Sequence, residues 1–340
     1  MNVLVTGGAG YIGSFMTKRL LDEGHKVVVF DNLERGYKEA IDKRAKFVQG
    51  DIKNVAALES LFSNGKIDAV MHFAGYISVK ESMIQPDLYY KNNLVGSKNL
   101  FDSAINIGRV TNLIFSSSAA VYGNPIKVPI PEDHPKNPIN PYGKNKLEVE
   151  EMLSFYHKKH GLSFVSLRYF NAAGATLDGS MGEAHEPETH IVPLAIKAVL
   201  TNSEFNLYGT DYDTPDGTCI RDYIHVVDLV EAHVLALDKL QKDKGGFFYN
   251  VGTGKGHSNK EVINMVNKVS GFDVKIKIEE RRQGDPEILI ADPKKIQKEL
   301  GFNPKYSDLE TIVQTAWEWH KKSSKFNPSA SLRARVQSSK

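Results

Sequence analysis

Short apolar runs alternate with amphipathic stretches along the first half of the chain. The runs that predict strands are "NVLVTG", "HKVVVFDN", "AKFVQGDI", "IDAVMHFAG", "VTNLIFSSSAAVYG" and "LSFVSLRYFNAAG". Helical periodicity marks the stretches "SFMTKRLLDEG", "YYKNNLVGSKNLFDSAINIG" and "YGKNKLEVEEMLSFYHKKHG" between them. Because strands that alternate with helices are joined by right-handed crossovers, the pattern predicts an α/β fold built on a doubly wound parallel sheet.

The pattern changes after about residue 175. The stretch "GATLDGSMGEAHEPETH" is polar and contains glycine and proline, as loops do, and the elements beyond it are shorter. We therefore predict a first domain over residues 1–175 and a smaller C-terminal α/β substrate lobe over 176–322. The remaining residues, 323–340, are polar with few large apolar side chains and are predicted to be disordered.

Composition narrows the class of protein. The 340 residues are 41% hydrophobic and 25% charged with a net charge of +2, which gives no sign of a nucleic-acid or membrane partner. The single cysteine, Cys219, excludes an intramolecular disulfide framework and favours a reducing compartment. A strand that begins near residue 2 leaves no room for a signal peptide, and no run reaches the roughly 18 apolar residues of a membrane span. These features predict a cytoplasmic protein.

A glycine-rich turn follows the first strand. In "GGAGYIG", Gly7, Gly10 and Gly13 stand between a strand and a helix, where glycines let backbone N–H groups approach a pyrophosphate. The next strand ends in Asp31, whose carboxylate would bond a ribose 2′-OH and repel a 2′-phosphate. The turn therefore predicts a Rossmann-type domain that binds NAD rather than NADP, although the nearby Arg35 would suit a 2′-phosphate.

Further residues fall at the same edge of the predicted sheet. Asp51 and Ile52 follow the third strand, and Phe73 lies at the end of the fourth. This edge is where the adenine of a dinucleotide would lie. Asn92, on the helix that follows, fits either this site or an ordinary helix surface.

The segment "NPYGKNK" predicts the start of a helix that carries a reactive side chain. Asn140 can cap the helix with Pro141 at its first position, which puts Tyr142 in the first turn and Lys146 one turn later on the same face. An unperturbed tyrosine has a pKa of about 10. A nearby ammonium and a helix N-terminus both favour the phenolate, so we expect a lowered pKa and a general base at Tyr142.

Hydroxyl groups precede this helix in "SSSAAVYG". Ser117 and Ser118 end a strand, and each could share a hydrogen bond with the phenol and a substrate oxygen. The spacing of the tyrosine and lysine alone is a weak pattern, but a serine-rich strand end and a dinucleotide loop make it specific.

At this point the chain resembles the extended short-chain dehydrogenase/reductase family over roughly residues 1–320, and within it the nucleotide-sugar 4-epimerases. The resemblance is carried, in order, by "VTGGAGYIGS", "DNL", "GDI", "HFAG", "ES", "YYKNN", "FSSSAAVYG", "NPYGKNKLEVE", "LRYFNAAGA", "DGTCIRDYIHVVDL", "YNVGTG" and "RRQGDP". It implies a homodimeric isomerase that interconverts UDP-galactose and UDP-glucose. NAD would oxidise C4, the 4-keto sugar would rotate, and reduction would follow on its other face.

The resemblance also implies the residues of the site. Tyr142 would be the catalytic base and acid, Ser118 its partner, and Lys146 would bind the nicotinamide ribose. NAD would contact Gly7, Gly10, Tyr11, Ile12, Gly13, Asp31, Asn32, Asp51, Ile52, Phe73, Ala74, Asn92, Tyr142, Lys146 and Tyr169. The UDP-sugar would contact Ser118, Phe170, Asn171, His190, Ile191, Tyr208, Arg221, Arg282, Asp285 and Leu289.

Two arginines in that set suit a diphosphate, because each guanidinium can bond two oxygens. Taken singly, Arg221 could instead pair with Asp222, and Arg282 could be a solvated charge. His190 stands where some relatives carry asparagine, and we expect it to pack or to bond backbone.

Leu289 departs from the bulky tyrosine of some family members. A shorter side chain there predicts that N-acetylated UDP-sugars are also accepted.

Other activities stay open to different degrees. Dehydratases of the family need an acidic pair where this chain has Ala119 and Ala120, so a dehydratase activity is disfavoured. A uronic-acid epimerase or decarboxylase and a non-enzymatic sensor of NAD or sugar nucleotides remain alternatives. His157 and His160 lie among lysines without a carboxylate or thiol companion, so we predict no metal site. For a homodimer, the helices around residues 92–107 and 144–160 are the expected interface.

Overall fold

A seven-stranded sheet with every neighbouring pair of strands parallel forms the centre of the protein. The computed structural model describes residues 1–322, so the tail predicted to be disordered lies outside the described residues. The strands are β1 Asn2–Thr6, β2 Lys26–Asp31, β3 Lys46–Gln49, β4 Ala69–His72, β5 Asn112–Ser118, β6 Ser163–Tyr169, β7 Asn171–Ala173, β8 Glu204–Tyr208, β9 Ile220–His225, β10 Gly246–Val251, β11 Gly256–Ser258, β12 Lys275–Glu279 and β13 Ile288–Leu289.

Helices cover both faces of this sheet and form most of the second lobe. They are α1 Tyr11–Asp22, α2 Val55–Ser63, α3 Val79–Ile84, α4 Pro86–Tyr89, α5 Gly96–Asn106, α6 Pro141–His160, α7 Ile191–Thr201, α8 Val226–Lys242, α9 Asn259–Ser270, α10 Lys294–Leu300 and α11 Leu309–Lys322. Short 3₁₀ turns occur at Lys38–Ala40 and Ala119–Tyr122. The predicted helix that starts at "YYKNN" begins with a π-helical segment, Tyr90–Val95, before it continues as α5.

The order of strands in the main sheet is β10-β6-β5-β4-β1-β2-β3. The chain runs outward from β1 in one direction through β2 and β3, and in the other through β4, β5 and β6. The order therefore reverses between β1 and β4, and ligands of doubly wound sheets bind beside the carboxyl ends of the strands at such a point. The fold confirms the predicted α/β class.

Two apolar layers sandwich the sheet, since parallel strands are buried on both faces. On one face, α1 and α8 pack around Met16, Leu20 and Leu229. On the other, α2, α5 and α6 pack around Phe62, Phe101 and Leu153. A third core, between α7, α9 and α11, belongs to the second lobe, where β9 pairs with β7, β11 and β13.

The boundary predicted at residue 175 does not separate the two lobes cleanly. The seventh strand of the main sheet is β10, which pairs with β6, and α8 packs against α1. Residues 226–251 therefore return to the large lobe after the chain has already entered the small one. Sequence periodicity cannot reveal which sheet a late strand joins, because that depends on a long-range pairing.

Candidate active site

A cleft of about 1520 Å³ runs along the carboxyl edge of the main sheet and against the second lobe. The cleft brings together most of the residues predicted for the cofactor and the substrate. These are Gly7, Gly10, Tyr11, Ile12, Gly13, Asp31, Asn32, Ile52, Phe73, Ala74, Asn92, Ser118, Tyr142, Lys146, Tyr169, Phe170, Asn171, His190, Ile191, Tyr208, Arg221, Arg282, Asp285 and Leu289. Two predicted residues, Asp51 and Ser117, do not line it.

The glycine loop has the close backbone packing that a dinucleotide cradle needs. Gly7 has φ +73°, and a Cβ there would lie 2.6 Å from the nitrogen of Ala74. A Cβ on Gly13 would lie 2.2 Å from the carbonyl oxygen of Gly7. Only glycine therefore permits this turn, which leaves the N-terminus of α1 open toward the cleft. The loop fits a pyrophosphate.

Asp31 closes the same end of the cleft. Its carboxylate accepts hydrogen bonds from the N–H groups of Ala9 at 3.0 Å and Leu33 at 2.8 Å. Burial raises the pKa of Asp31, while these two backbone donors oppose that rise. Arg35 donates to Glu81 at 2.8 Å. Because the Asp31 carboxylate can accept from a ribose hydroxyl and would repel a 2′-phosphate, this end of the cleft suits the hydroxyl better.

Asp51, predicted to contact the cofactor, does not line the cleft. Its Oδ1 accepts from the N–H of Lys53 at 2.7 Å, and its Oδ2 accepts from Asn32 at 3.2 Å. Its neighbour Ile52 does line the cleft. Asp51 thus orients Asn32 rather than facing the cleft directly.

Helix α6 begins as predicted, and its start fixes the position of Tyr142. Asn140 Oδ1 accepts from the N–H of Gly143 at 2.8 Å, and Pro141 occupies the first position of the helix. The helix ends at Gly161, with φ +71°. Asn140, Pro141 and Gly161 are the start and stop signals that the sequence contained.

Tyr142 is partly buried and hydrogen-bonded to Ser118. Ser118 Oγ accepts from the N–H of Ala120 at 3.1 Å, so its own proton can be donated to the phenol oxygen. Burial raises the pKa of Tyr142, and the hydrogen bond to Ser118 opposes this rise. The expected lowering by the chain's own residues is therefore wrong, because desolvation of the phenolate outweighs the favourable contacts.

Lys146 lies one turn along α6 from Tyr142, as predicted, but its ammonium points past the phenol ring. Lys146 Nζ donates to the carbonyl oxygen of Ser116 at 2.6 Å and lies 5.8 Å from the centre of the Tyr142 ring. Burial lowers the pKa of Lys146 to about 7, and the charge of Glu150 opposes this. The side chain is thus held beside Tyr142 by backbone rather than by an ion pair.

The three serines that end β5 have different surroundings. Ser117 Oγ donates to Glu150 at 2.7 Å, away from the cleft, so its predicted contact with the phenol is wrong. Side chains alternate across a strand, and Ser118 therefore faces the cleft where Ser117 cannot. Ser116, which sequence reasoning missed, lines the cleft and shares a hydrogen bond with the hydroxyl of Tyr169. The alternation along "SSS" was the available signal.

Two arginines lie at the far end of the cleft. Arg221 pairs with Asp285 and also donates to the carbonyl oxygens of Ile220 and Glu287 at 2.9 and 3.2 Å. The guanidinium carbon of Arg282 lies 3.8 Å from the centre of the Tyr208 ring. Both cations line the same cleft, and two guanidinium groups suit the recognition of a diphosphate.

The alternative partner for Arg221 is excluded by the structure. Asp222 accepts instead from the N–H groups of Thr253, Gly254 and Ala291. Adjacent residues of β9 point to opposite faces of their sheet.

His190 is surrounded by acidic side chains rather than bonding backbone, which corrects the prediction. Its Nδ1 pairs with Glu183, and His185 Nδ1 lies 2.9 Å from the same carboxylate oxygen. With Glu188, these residues form a cluster whose ligand-type atoms all lie within 4.8 Å of one another. We call Glu183, His185, Glu188 and His190 the loop cluster. Sequence reasoning missed it, although the spacing of "EAHEPETH" was the available signal.

Leu289 lies on the cleft wall in a small apolar group with Val121, Tyr122, Ile130 and Phe170. Ala120 lines the cleft, and Ala119 is buried beside it. The positions where a dehydratase needs acids therefore hold only methyl groups in this structure.

Comparison with known proteins identifies the family. Residues 3–252 match the model of the NAD dependent epimerase/dehydratase family. The chain belongs to that family.

The chain is similar to several UDP-glucose 4-epimerases of the family, as the resemblance seen in the sequence indicated. The chain is 47% identical to the UDP-glucose 4-epimerase of Lactobacillus helveticus, over 94% of this chain and 97% of that protein. The structure of UDP-glucose 4-epimerase from Brucella ovis in complex with NAD is 47% identical, with a TM-score of 0.89 over 93% of this chain and 97% of that one. The UDP-Glc/GlcNAc 4-epimerase of Campylobacter jejuni is 42% identical, with a TM-score of 0.81 over 95% and 99%.

Between residues 1 and 322, none of the helices has the length and apolar character that crossing a membrane requires.

Proposed function

We propose that this chain interconverts UDP-galactose and UDP-glucose by inverting the hydroxyl at C4 with the help of NAD. The observation that carries the proposal is one continuous cleft with three parts. Tyr142 and Ser118 share a hydrogen bond in it, the glycine loop with Asp31 lies at one end, and Arg221 and Arg282 lie at the other. The family and the similarity to UDP-glucose 4-epimerases support the same activity.

The residues present fit NAD. The glycine loop and the N-terminus of α1 would hold its pyrophosphate, Asp31 a ribose hydroxyl, and Lys146 the nicotinamide ribose. When bound, NAD accepts a hydride from C4 of the sugar and later returns it. The remaining contacts proposed for the cofactor are Tyr11, Ile12, Asn32, Ile52, Phe73, Ala74, Asn92 and Tyr169, with Asp51 acting through Asn32.

Tyr142 would handle the proton of the sugar's 4-hydroxyl. Its phenol would take that proton as the keto group forms and give it back on the opposite face of the ring. Ser118 orients the phenol through their hydrogen bond, and can bond the same sugar oxygen. Because burial raises the pKa of Tyr142, its phenolate would need a further favourable contact beyond the hydrogen bond from Ser118.

The two arginines would anchor the diphosphate while the sugar turns. An epimerase must hold the nucleotide firmly and the sugar loosely, since both faces of the ring have to reach the same groups. Arg221 and Arg282 are placed for the first task, with Tyr208 and Asp285 on the uridine side. Phe170, Asn171, His190, Ile191 and Leu289 would border the sugar and the diphosphate.

Substitution of the proposed base tests this function. Tyr142→Phe removes only the phenol oxygen and should lower turnover of UDP-galactose by about 10²- to 10⁴-fold, the usual contribution of a general base. Binding of UDP should stay close to that of the wild type. Tyr249→Phe is the matched control, because the Tyr249 hydroxyl bonds Glu299 outside the cleft. Full activity of Tyr142→Phe would show that the base is assigned wrongly.

We extend the proposal to N-acetylated UDP-sugars. Leu289 lies on the cleft wall beside Phe170 and lacks the reach of a tyrosine. The relative from Campylobacter jejuni, which is named for both UDP-Glc and GlcNAc, supports the extension. UDP-GalNAc should be turned over at a rate comparable to UDP-galactose, and Leu289→Tyr should lower the former selectively by about 10-fold or more. No turnover of UDP-GalNAc by the wild type would refute it.

The large lobe, residues 1–175 with 226–251 added, is proposed to bind NAD, and the rest of 176–322 the UDP-sugar.

We also propose a homodimer through α6 and the helical segment around residues 92–107. Phe155 on α6 is 55% exposed, and a second copy of the chain packed against α6 would bury this ring. Phe155→Glu should convert a dimer to a monomer in light scattering, and a wild-type monomer would refute this assembly.

A cytoplasmic location is proposed because the single cysteine is free and buried.

A further inference from the structure

The loop cluster combines two carboxylates and two imidazoles at the wall of the cleft. Glu183, His185, Glu188 and His190 lie within one loop, yet their ligand-type atoms all approach within 4.8 Å of one another. Glu183 Oε1 is 2.9 Å from His185 Nδ1, and His190 Nδ1 is 3.7 Å from Glu188 Oε1. Four donors that share so small a volume can surround a single ion.

A second observation points to a cation at this place. Glu188 Oε1 accepts from the N–H groups of Thr189 at 2.7 Å and His190 at 2.9 Å, which fixes the carboxylate. Its other oxygen, Oε2, is buried and has no hydrogen-bond partner, and only 3% of the side chain is exposed. A buried carboxylate oxygen without a partner is costly. A metal ion held by the neighbouring donors would satisfy it.

The loop that carries the cluster is held in place from outside. Trp319 Nε1 donates to the carbonyl oxygen of Glu183 at 3.0 Å, and a Cβ on Gly182 would lie 2.4 Å from the Trp319 ring. Tyr11 packs edge-on against His185, with 6.2 Å between ring centres. Helix α11 and the start of α1 therefore position the donors independently of any ion, which is how strong metal sites are built.

The geometry points to a binding site for one divalent transition-metal ion of the Zn²⁺ class, held by Glu183, His185, Glu188 and His190. Two imidazole nitrogens favour such an ion over Mg²⁺ or Ca²⁺, which take oxygen ligands. Two carboxylates balance its charge. This inference does not rest on the proposed function, because Tyr142 and the glycine loop need no metal for their roles.

Four protein ligands make a closed site, which is typical of structural rather than catalytic zinc. The ion would tie the two ends of the loop before α7 to each other, beside Tyr11. It would thereby fix the position of His190 and Ile191, two of the residues proposed to face the UDP-sugar. The prediction of no metal site from the sequence considered only His157 and His160, which lie elsewhere on α6.

Metal analysis of the whole protein tests the site. Full-length protein expressed with Zn²⁺, purified without a histidine tag and dialysed against metal-free buffer, should retain one Zn²⁺ per chain by mass spectrometry. After the metal is stripped with a chelator, added Zn²⁺ should raise the melting temperature, because an ion that binds only the folded state stabilises it.

Variants separate this site from adventitious binding. Glu188→Gln keeps the shape of the side chain, and His185→Ala removes a nitrogen donor. Loss of a residue that only hydrogen-bonds to a metal ligand typically weakens metal binding by about 10- to 100-fold. Either of these substitutions removes a proposed ligand itself and should weaken Zn²⁺ binding at least as much. His160→Ala, on the exposed end of α6, is the matched control and should retain the ion.

Two results would overturn the inference. One is wild-type protein without stoichiometric metal and with a melting temperature that Zn²⁺ leaves unchanged, since the cluster would then be a pair of imidazole–carboxylate contacts. The other is Glu188→Gln protein that binds Zn²⁺ as tightly as the wild type. If His185→Ala does not fold, Glu188→Gln and the Zn²⁺ titration of stripped wild-type protein still decide the matter.

Discussion

Glu150→Gln is expected to destabilise the protein by about 3–5 kcal/mol, because it breaks a buried ion pair directly behind the site. Glu150 Oε2 accepts from Arg168 Nη2 at 2.6 Å, and its Oε1 accepts from Arg168 Nε at 2.8 Å. Each side chain is only 2% exposed. The guanidinium also donates to the Tyr122 hydroxyl and the Glu132 carbonyl oxygen, but neither of these carries a charge.

The size of the loss follows from what remains after the substitution. Glutamine keeps the volume of Glu150, so little packing is lost, but Arg168 stays buried without its ion-pair partner, and the remaining charge near it is the more distant carboxylate of Glu132. The hydroxyls of Ser117 and Ser166, which donate to Glu150 at 2.7 and 2.9 Å, also lose a charged acceptor. Both effects act on the folded state alone.

Urea denaturation of the wild type and two variants measures the effect. Glu310→Gln is the matched control, since Glu310 pairs with Lys268 at 2.7 Å on the surface, where both side chains are more than half exposed. Exposed pairs contribute about 0–1 kcal/mol. If Glu150→Gln cost no more than Glu310→Gln, burial would not govern the strength of this pair, and the reasoning would be refuted.

Three further predictions concern pH, the cofactor and the substrate. Burial lowers the pKa of His233 to about 4, so the stability that depends on its neutral form is present above pH 6.5 and is lost as pH falls toward 4. Between pH 8 and pH 5, the free energy of unfolding of His233→Leu should therefore fall by about 2 kcal/mol less than that of the wild type. Denaturant titrations at the two pH values measure this, and an equal fall in both proteins would contradict it. Gly13→Ala puts a Cβ 2.2 Å from the Gly7 oxygen and should abolish NAD retention by chromatography, whereas Gly65→Ala, with open space around it, should retain NAD. Arg282→Ala should weaken UDP binding by about 10- to 100-fold in calorimetry, and unchanged affinity would remove this residue from the diphosphate site.

Local signals in the sequence were enough to predict the fold class, the glycine turn and the first turns of α6. Gly7 and Gly13 permit a turn that other residues would block, and Asn140 with Pro141 starts α6 at the predicted position. The helical period then places Lys146 one turn beyond Tyr142. Each of these inferences depends on residues that are neighbours in the chain.

Other features depend on residues that are distant in the chain and could not be predicted. The strand β10 joins the main sheet only through its pairing with β6. The pKa of Tyr142 rises because several elements bury it together, which its neighbours in sequence do not reveal. Arg221 pairs with Asp285 rather than with the adjacent Asp222 because β9 turns the two side chains to opposite faces.

The most direct test of the proposed function is to incubate the purified protein with UDP-galactose and no added NAD. UDP-glucose should form, because epimerisation has no net redox change and the cofactor would stay bound through every cycle. Denatured protein from the same preparation should release NAD. Absence of UDP-glucose, both with and without added NAD, would contradict the proposed activity.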